Sequence, residues 1–196
     1  MSGHHASSTI SAEVRHVEAF LEQRGLLEPG EIDTRIDEFL AGGTPAHGAR
    51  IVARAWLDPG FAQRLLADAN TAIGELGLSM AGGLQEQRLK VVANSEREHN
   101  VVVCTLCSCY PIALLGPSPS WYKSEAYRSR VVRDPRGVLR EFGLDLPAGT
   151  RISVWDASAE SRYMVLPRRP DGTEHLSEEK LSELVTRKGL IGTAPV

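Results

Sequence analysis

Three cysteines, Cys104, Cys107 and Cys109, fall within one six-residue stretch, and the 196-residue chain has no fourth. A tetrahedral zinc site or an iron–sulfur cluster usually takes four side-chain ligands, so three thiols leave such a set one short. The segment Cys107-Ser108-Cys109 can complete a different set with its own backbone. Once the amides of Ser108 and Cys109 lose their protons, two sulfurs and two nitrogens form a planar four-donor chelate. Cys104 then supplies a fifth donor from the axial side. A sixth position stays open, and an open position on a bound metal is where catalysis occurs. Thiolates and deprotonated amides are strong donors that favour a low-spin trivalent ion and disfavour magnesium, calcium or manganese. Cysteines on an exposed turn beside such an ion are also candidates for oxidation.

Three other readings of the cluster stand beside this one. Zinc held by the three cysteines with His99, five residues before Cys104, is a structural alternative, although Cys-x-Cys is a poor tetrahedral pair. A thiol switch without metal is a second. A non-catalytic metal carrier, holding labile divalent metal on unmodified thiols, is a third.

A precise site needs rigid elements to hold it. The run Asn100–Val103 is Val-rich and strand-like and leads directly into the cysteines, with a similar run at Leu89–Ala93 before it. Arg151–Asp156 alternates, with Ile152, Val154 and Asp156 on one side, and a further strand is expected at Tyr163–Leu166 after the link Ala157-Ser158-Ala159-Glu160. Helices fill the rest. Ser11 is positioned to cap one with Val14, Val17, Phe20 and Leu21 on one face, stopped by Gly25. Ile32, Ile36, Phe39 and Leu40 mark a second, ending at Gly42-Gly43. From Ala46 to about Gly77 the pattern stays helical with a break at Asp58-Pro59, and Ala62, Leu65, Leu66, Ala69 and Ile73 form the buried side beyond it. Gly82-Gly83 then separates this part from the strands. Ser120 is read as the cap of a helix to about Val132, and Arg136–Phe142 as another helical turn. Ser177 is read as the cap of a last helix with Leu181, Leu184 and Val185 inward.

Helices and strands are segregated, so the fold class is α+β: a helical N-terminal arm over residues 1–45, then a layered α/β globular domain over 46–196 carrying the cysteine loop. From the residues alone, the two helices of 1–45 either dock on another chain or form a helical subdomain on this chain's own core. With 42% hydrophobic residues, the chain can bury one sizeable core. A net charge of -3 and the lack of a basic, aromatic-laced run give no footing for nucleic acid. No apolar stretch is long enough to cross a bilayer, and Met1–Ser8 lacks the apolar core of a signal peptide. His4 and His5 there read as part of a flexible polar tail rather than as metal ligands. Clustered, odd-numbered cysteines argue against a secreted disulfide framework, and the chain reads as cytoplasmic.

The segment Val101–Pro111 resembles the metal-binding signature of nitrile hydratase alpha subunits. The similarity continues through Trp121-Tyr122-Lys123, Tyr127–Val132, Asp134-Pro135-Arg136, Arg162–Pro167, Ser177-Glu178-Glu179 and Leu190-Ile191-Gly192. It implies hydration of a nitrile to its amide at a non-corrin metal centre. Thr105, between the first cysteine and Leu106, implies cobalt(III), where Ser at that position accompanies iron(III). The resemblance further implies that Cys107 becomes a sulfinate and Cys109 a sulfenate while Cys104 stays a thiolate. The nucleophile is then either the sulfenate oxygen or a metal-activated water. Asp156, Glu160, Arg162 and Tyr163 match a pattern contributing to a hydrogen-bond network that reaches a beta-type subunit. Such subunits also supply arginines to the oxidised sulfurs and are embraced by the helical arm. Read from the residues alone, the same four would be a surface ion pair and a packed tyrosine, and Tyr122, Tyr127 and Arg130 would be helix packing. The metal-bearing subunit of thiocyanate hydrolase shares the cysteine motif and is the nearest rival.

Three departures bear on substrate. Ile112 stands where relatives often have Trp, Gly116-Pro117-Ser118-Pro119 replaces Gly-Leu-Pro-Pro, and Ala93 replaces an acidic or amide side chain. If Ile112 borders the substrate cavity, the loss of an indole enlarges it for a bulky heteroaromatic nitrile, such as the cyano-deazapurine nucleoside toyocamycin.

Overall fold

The computed structural model describes residues 8–80, 87–107 and 109–196. The chain divides into two compact units, residues 1–39 and 40–196. The boundary falls inside the last turn of the second helix, a few residues before the expected one.

In the first unit, α1 spans Ser8–Gln23 and begins ahead of the expected cap at Ser11. Its apolar positions stay in solvent: Val14 is 61% exposed and Phe20 47%. The second helix, α2 (Glu31–Gly42), buries none of its residues.

The second unit is built on helices with strong local signals. α3 (Pro45–Leu57) is capped by the Thr44 side chain, and α4 (Pro59–Ala67) by Asp58, which accepts the Phe61 N–H with Pro59 in the first turn. The helical run expected to continue to about Gly77 is broken once more, where Asp68 accepts from the Thr71 N–H and starts α5 (Ala69–Gly74), and Leu66, expected inward, is exposed. Beyond the cysteine loop come α6 (Ile112–Leu115), a 3₁₀ turn at Ser120–Lys123, α7 (Glu125–Val131) and α8 (Pro135–Glu141). The expected cap at Ser120 is displaced here: Ser120 opens the 3₁₀ turn, and Ser124 caps α7 by accepting the Tyr127 N–H. Ser177 does cap α9 (Glu178–Leu184), and α10 (Arg187–Ile191) follows.

Among the described residues, four strands form two two-stranded sheets, β1 (Arg88–Ala93) with β4 (Ser161–Leu166) and β2 (Glu98–Val103) with β3 (Arg151–Asp156). Both pairs are parallel. The connection 157–160 therefore carries the chain from one sheet to the other instead of closing a hairpin. The sheets contact each other through β1, β2 and β4, with α4 and α5 against β1 and α8 against β3, so the core is layered. Gly82 and Gly83 lie outside the described residues.

Parallel pairing needs a long crossover, and it aligns the C-terminal ends of β2 and β3. Val103 is the register partner of Asp156. The cysteine loop and the last residue of β3 therefore emerge side by side, at the carboxyl end of the sheet where α/β proteins commonly place ligands.

One glycine ties the C-terminal helix to β2. Gly192 ends α10 in the left-handed region at φ +86°, and any Cβ there would run into the Asn100 carbonyl. Gly192→Ala should lose at least about 1–2 kcal/mol from the backbone conformation alone, with the clash adding to it. Urea unfolding of the two proteins tests this, and an unchanged midpoint would contradict it.

Candidate metal centre

Cys104 follows β2 directly and is fully buried, whereas Cys107 is exposed and Cys109 half-buried. Leu106, between them, is 91% exposed. The sulfurs converge: Cys104 Sγ lies 3.2 Å from Cys107 Sγ, which lies 3.0 Å from Cys109 Sγ. All three fall within 4.8 Å of one another.

These spacings discriminate between geometries. With metal–sulfur bonds of about 2.3 Å, two thiolates at a tetrahedral angle sit about 3.8 Å apart, and two at a right angle about 3.3 Å. The observed 3.0 and 3.2 Å suit adjacent corners of an octahedron better than a zinc tetrahedron. The donor set thus fits a six-coordinate ion. Ser108, whose amide was expected to be a further ligand, lies outside the described residues.

His99 does not join the thiols. It sits near the other end of β2 from Cys104, about 16 Å away at strand rise, and both ring nitrogens are engaged. Asn94 Oδ1 accepts from the Asn100 main-chain N–H at 2.7 Å and from Asn100 Nδ2 at 3.1 Å. The Asn94 amide nitrogen must then face His99 Nδ1, at 3.3 Å. That leaves His99 Nε2 to donate to the Gly192 carbonyl at 2.7 Å, while Asn100 Oδ1 accepts from the Trp155 indole. The zinc set with His99 is therefore not assembled.

The four residues of the second constellation separate. Asp156 reaches the metal loop: its carboxylate accepts the Thr105 N–H at 2.9 Å and the Thr105 hydroxyl at 2.5 Å. Arg162 is 8% exposed, its guanidinium binds the carbonyls of Ser158, Ala159 and Ser161, and its charge acts on Cys109. Its Nε is buried without a partner. Glu160 is exposed, and Tyr163 points to the other face of β4, against Trp155 and beneath Lys90. Among the described residues, none of the four forms a salt bridge, so a surface ion pair does not account for them. Ile112 is half-buried and packs against Gly43, where its backbone leaves no room for a Cβ.

Two contacts have no counterpart in the sequence reading. Arg128 Nη1 donates to the Cys107 carbonyl at 2.9 Å, and Tyr122 Oη donates to the Cys109 carbonyl at 3.0 Å. Tyr127, treated as packing, donates to the Val102 carbonyl at 2.6 Å. Helical periodicity places these side chains inward but says nothing about which loop they meet.

Without metal, the Cys109 thiol is pushed up to about 12, first by burial and then by its hydrogen bond with Cys107, against the opposing pull of Arg162. A metal ion must displace that proton, so loading releases acid.

A profile of the family described as nitrile hydratase, alpha chain, matches residues 8–194. The low-molecular weight cobalt-containing nitrile hydratase subunit alpha of Rhodococcus rhodochrous is 50% identical over 189 residues, covering 96% of this chain and 90% of that one. The chain belongs to the nitrile hydratase alpha-chain family. A histidine double mutant of the Fe-type nitrile hydratase from Comamonas testosteroni Ni1 superposes with a TM-score of 0.87 at 38% identity, covering 97% of this chain and 92% of that one. The thiocyanate hydrolase subunit gamma of Thiobacillus thioparus is also similar, 46% identical over 76% of this chain and 65% of its own length. The mixed α and β architecture expected from the sequence is that of nitrile hydratase alpha chains. No described helix is long and apolar enough to cross a membrane.

The His99 network carries a pH dependence. Burial lowers its pKa below the ordinary 6.5, partly opposed by the Gly192 bond. The unfolded chain then takes up a proton before the folded one does. The stability from neutral His99 is complete above about pH 6.5 and is lost as pH falls below it. In His99→Gln, the decline in unfolding free energy from about pH 7 to about pH 5 should be shallower than in the parent. Parallel curves would rule out His99 as the group responsible.

Proposed function

We propose that this chain is the metal-bearing alpha subunit of a nitrile hydratase, acting at a non-corrin, low-spin cobalt(III) centre. Cys104, Cys107, Cys109 and the backbone amides of Ser108 and Cys109 would hold the ion. The observation that carries this reading is the convergence of three sulfurs on the loop after β2, with Cys107 at right-angle spacing from both others. Thr105 and the name of the cobalt-containing relative from Rhodococcus support cobalt over iron(III). When bound, the ion supplies Lewis acidity at one open position.

The residues divide the remaining work. Buried Cys104 stays a thiolate, shielded from oxidant. Cys107 carries sulfinate and Cys109 sulfenate. The Cys109 oxygen either adds to the nitrile carbon, from which water then displaces it to restore the sulfenate, or takes a proton from the incoming water and passes it to the nitrile nitrogen. Either way, water adds across the carbon–nitrogen triple bond to give an imidic acid, which tautomerises to the amide with no leaving group. The Arg162 charge offsets the negative charge that collects on the sulfurs. Asp156 holds Thr105 and with it the start of the loop.

A beta-type subunit completes the enzyme. The solvent-facing apolar positions of α1, including Ile10, Val14, Val17 and Phe20, are an unusual stripe for an isolated helix and suit a partner surface. Exposed Glu160 and half-buried Tyr163 belong to that boundary in this reading.

Assembled with its beta-type subunit, the protein should contain one cobalt per chain, modified Cys107 and Cys109 by mass spectrometry, and activity on an organic nitrile. Cys109→Ser should abolish turnover and weaken cobalt retention. Full loading with near-native activity in that variant would sink the assignment. Carbonyl sulfide and ammonia from thiocyanate, with no amide from nitriles, would move the chain to the thiocyanate hydrolase reading favoured by the Thiobacillus relative.

The substrate class we infer rests on Ile112, three residues past the last ligand, bordering the substrate cavity in this reading. An aliphatic side chain in place of an indole leaves room for a bulky heteroaromatic nitrile, for which toyocamycin is a suitable probe. A changed contact in an apolar pocket usually alters discrimination by about 1–3 kcal/mol. Ile112→Trp should therefore lose kcat/KM on toyocamycin while retaining it on acrylonitrile. An equal loss on both substrates, or on neither, would remove residue 112 as a size gate.

A further inference from the structure

The cysteine loop has almost no regular structure of its own, yet its sulfurs meet closely. Residues 104–107 follow the strand without joining a helix or sheet, and the next helix starts only at Ile112. Hydrogen bonds from other elements hold the loop at three points. Asp156 holds Thr105, Arg128 holds the Cys107 carbonyl, and Tyr122 holds the Cys109 carbonyl. The last two contacts sit at the two ends of the Cys107–Cys109 tripeptide.

We propose that Tyr122 and Arg128 are positioning residues of the metal loop, holding the carbonyls of Cys109 and Cys107 so that the two thiols face a common centre before metal arrives. The proposal rests on the reading of the cluster as a metal site, and it assigns this chain's own contribution to building that site.

The geometry gives each residue a distinct part. Each bond fixes the carbonyl of a cysteine, and a planar peptide leaves the backbone carrying that thiol fewer rotations. Tyr122 is fully buried and wedged among Tyr110, Trp121 and Tyr127, with ring centroids 5.0, 6.1 and 5.9 Å away. Trp121 is itself packed edge-on against Phe142 at 4.7 Å. The packed rings restrict where the phenol oxygen can lie. Arg128 works from the other side. It stands on α7, whose Tyr127 is tied to the Val102 carbonyl of β2, so the guanidinium and the loop it holds share one frame. Its bond is charge-assisted, which makes it stronger than one between neutral groups and sets a positive charge beside a loop that will carry several negative donors. A floppy loop would have to order itself on binding, and pre-ordering it lowers that cost.

The test uses the full chain loaded with cobalt and compares it with its metal-free form. Tyr122→Phe keeps the ring and deletes one hydrogen bond, while Arg128→Gln removes the charge and Arg128→Lys keeps it. Removing a hydrogen bond that orients a ligand commonly costs 10- to 100-fold in metal affinity. Tyr122→Phe and Arg128→Gln should release cobalt to excess chelator about tenfold faster or more and shift the sulfur-to-metal charge-transfer band. Arg128→Lys should recover part of both. Metal-free thermal unfolding should differ less from the parent than cobalt retention does. Parent-like release and spectra in Tyr122→Phe and Arg128→Gln would overturn the proposal. So would equal destabilisation of loaded and metal-free forms, because that marks a purely structural role. If the parent chain binds no cobalt, the metal-site reading fails first and takes this one with it. A parent that binds while Tyr122→Phe and Arg128→Gln behave like it refutes the positioning role alone.

Discussion

The parallel pairing of β2 with β3 is the constraint from which the site follows. It brings Asp156 beside the chain leaving Val103, although 51 residues separate Asp156 from Thr105. An antiparallel neighbour would present its N-terminal end there, and the carboxylate that grips Thr105 would lie at the far edge of the sheet. The pairing also depends on the far end of β2. There the Asn94–Asn100–Trp155 hydrogen bonds and the His99–Gly192 contact lock β2 to β3 and to α10. The loop is thus the free end of a strand anchored along its length and at its base.

Support for the loop is layered from inside outward. Buried aromatic rings immobilise Tyr122, and Tyr127 completes the hydrogen bonding of a β2 carbonyl that its sheet partner leaves unmet. Two arginines then act on the loop, Arg128 by donating to the Cys107 carbonyl and Arg162 through its charge on Cys109. The resemblance implies arginines from a beta-type subunit, and Arg128 adds one from this chain at the Cys107 carbonyl.

What could be read from the sequence was mostly local. The caps at Asp58 and Ser177 and the strand at 151–156 depend on neighbours within a few residues, and they appear where expected. Competing local signals caused the errors. Asp68 offers a second cap inside a helical pattern, and Ser124 outcompetes Ser120 because the 3₁₀ turn uses the intervening residues. Strand pairing is a long-range choice that periodicity does not encode, so neither the parallel register nor the Asp156–Thr105 contact was legible. The cysteines were legible as a cluster because their donors are adjacent in sequence. His99 seemed near them for the same reason, and an extended strand carried it away. Tyr122 and Arg128 were hidden because a helix pattern shows which way a side chain faces, not whose carbonyl it will find.

The exposure of Leu106 and Cys107 gives the loop a wet outer face, with the ordered groups beneath it and solvent above. Water at that face screens the arginine charges acting on the sulfurs. A surface laid over Leu106 would lower the effective dielectric constant from about 80 toward about 20, strengthening each of those interactions roughly fourfold at unchanged distances. Covering the loop would therefore alter the field at the sulfurs without adding a single charged group. A lid for this site acts as an electrostatic component even when it is chemically inert.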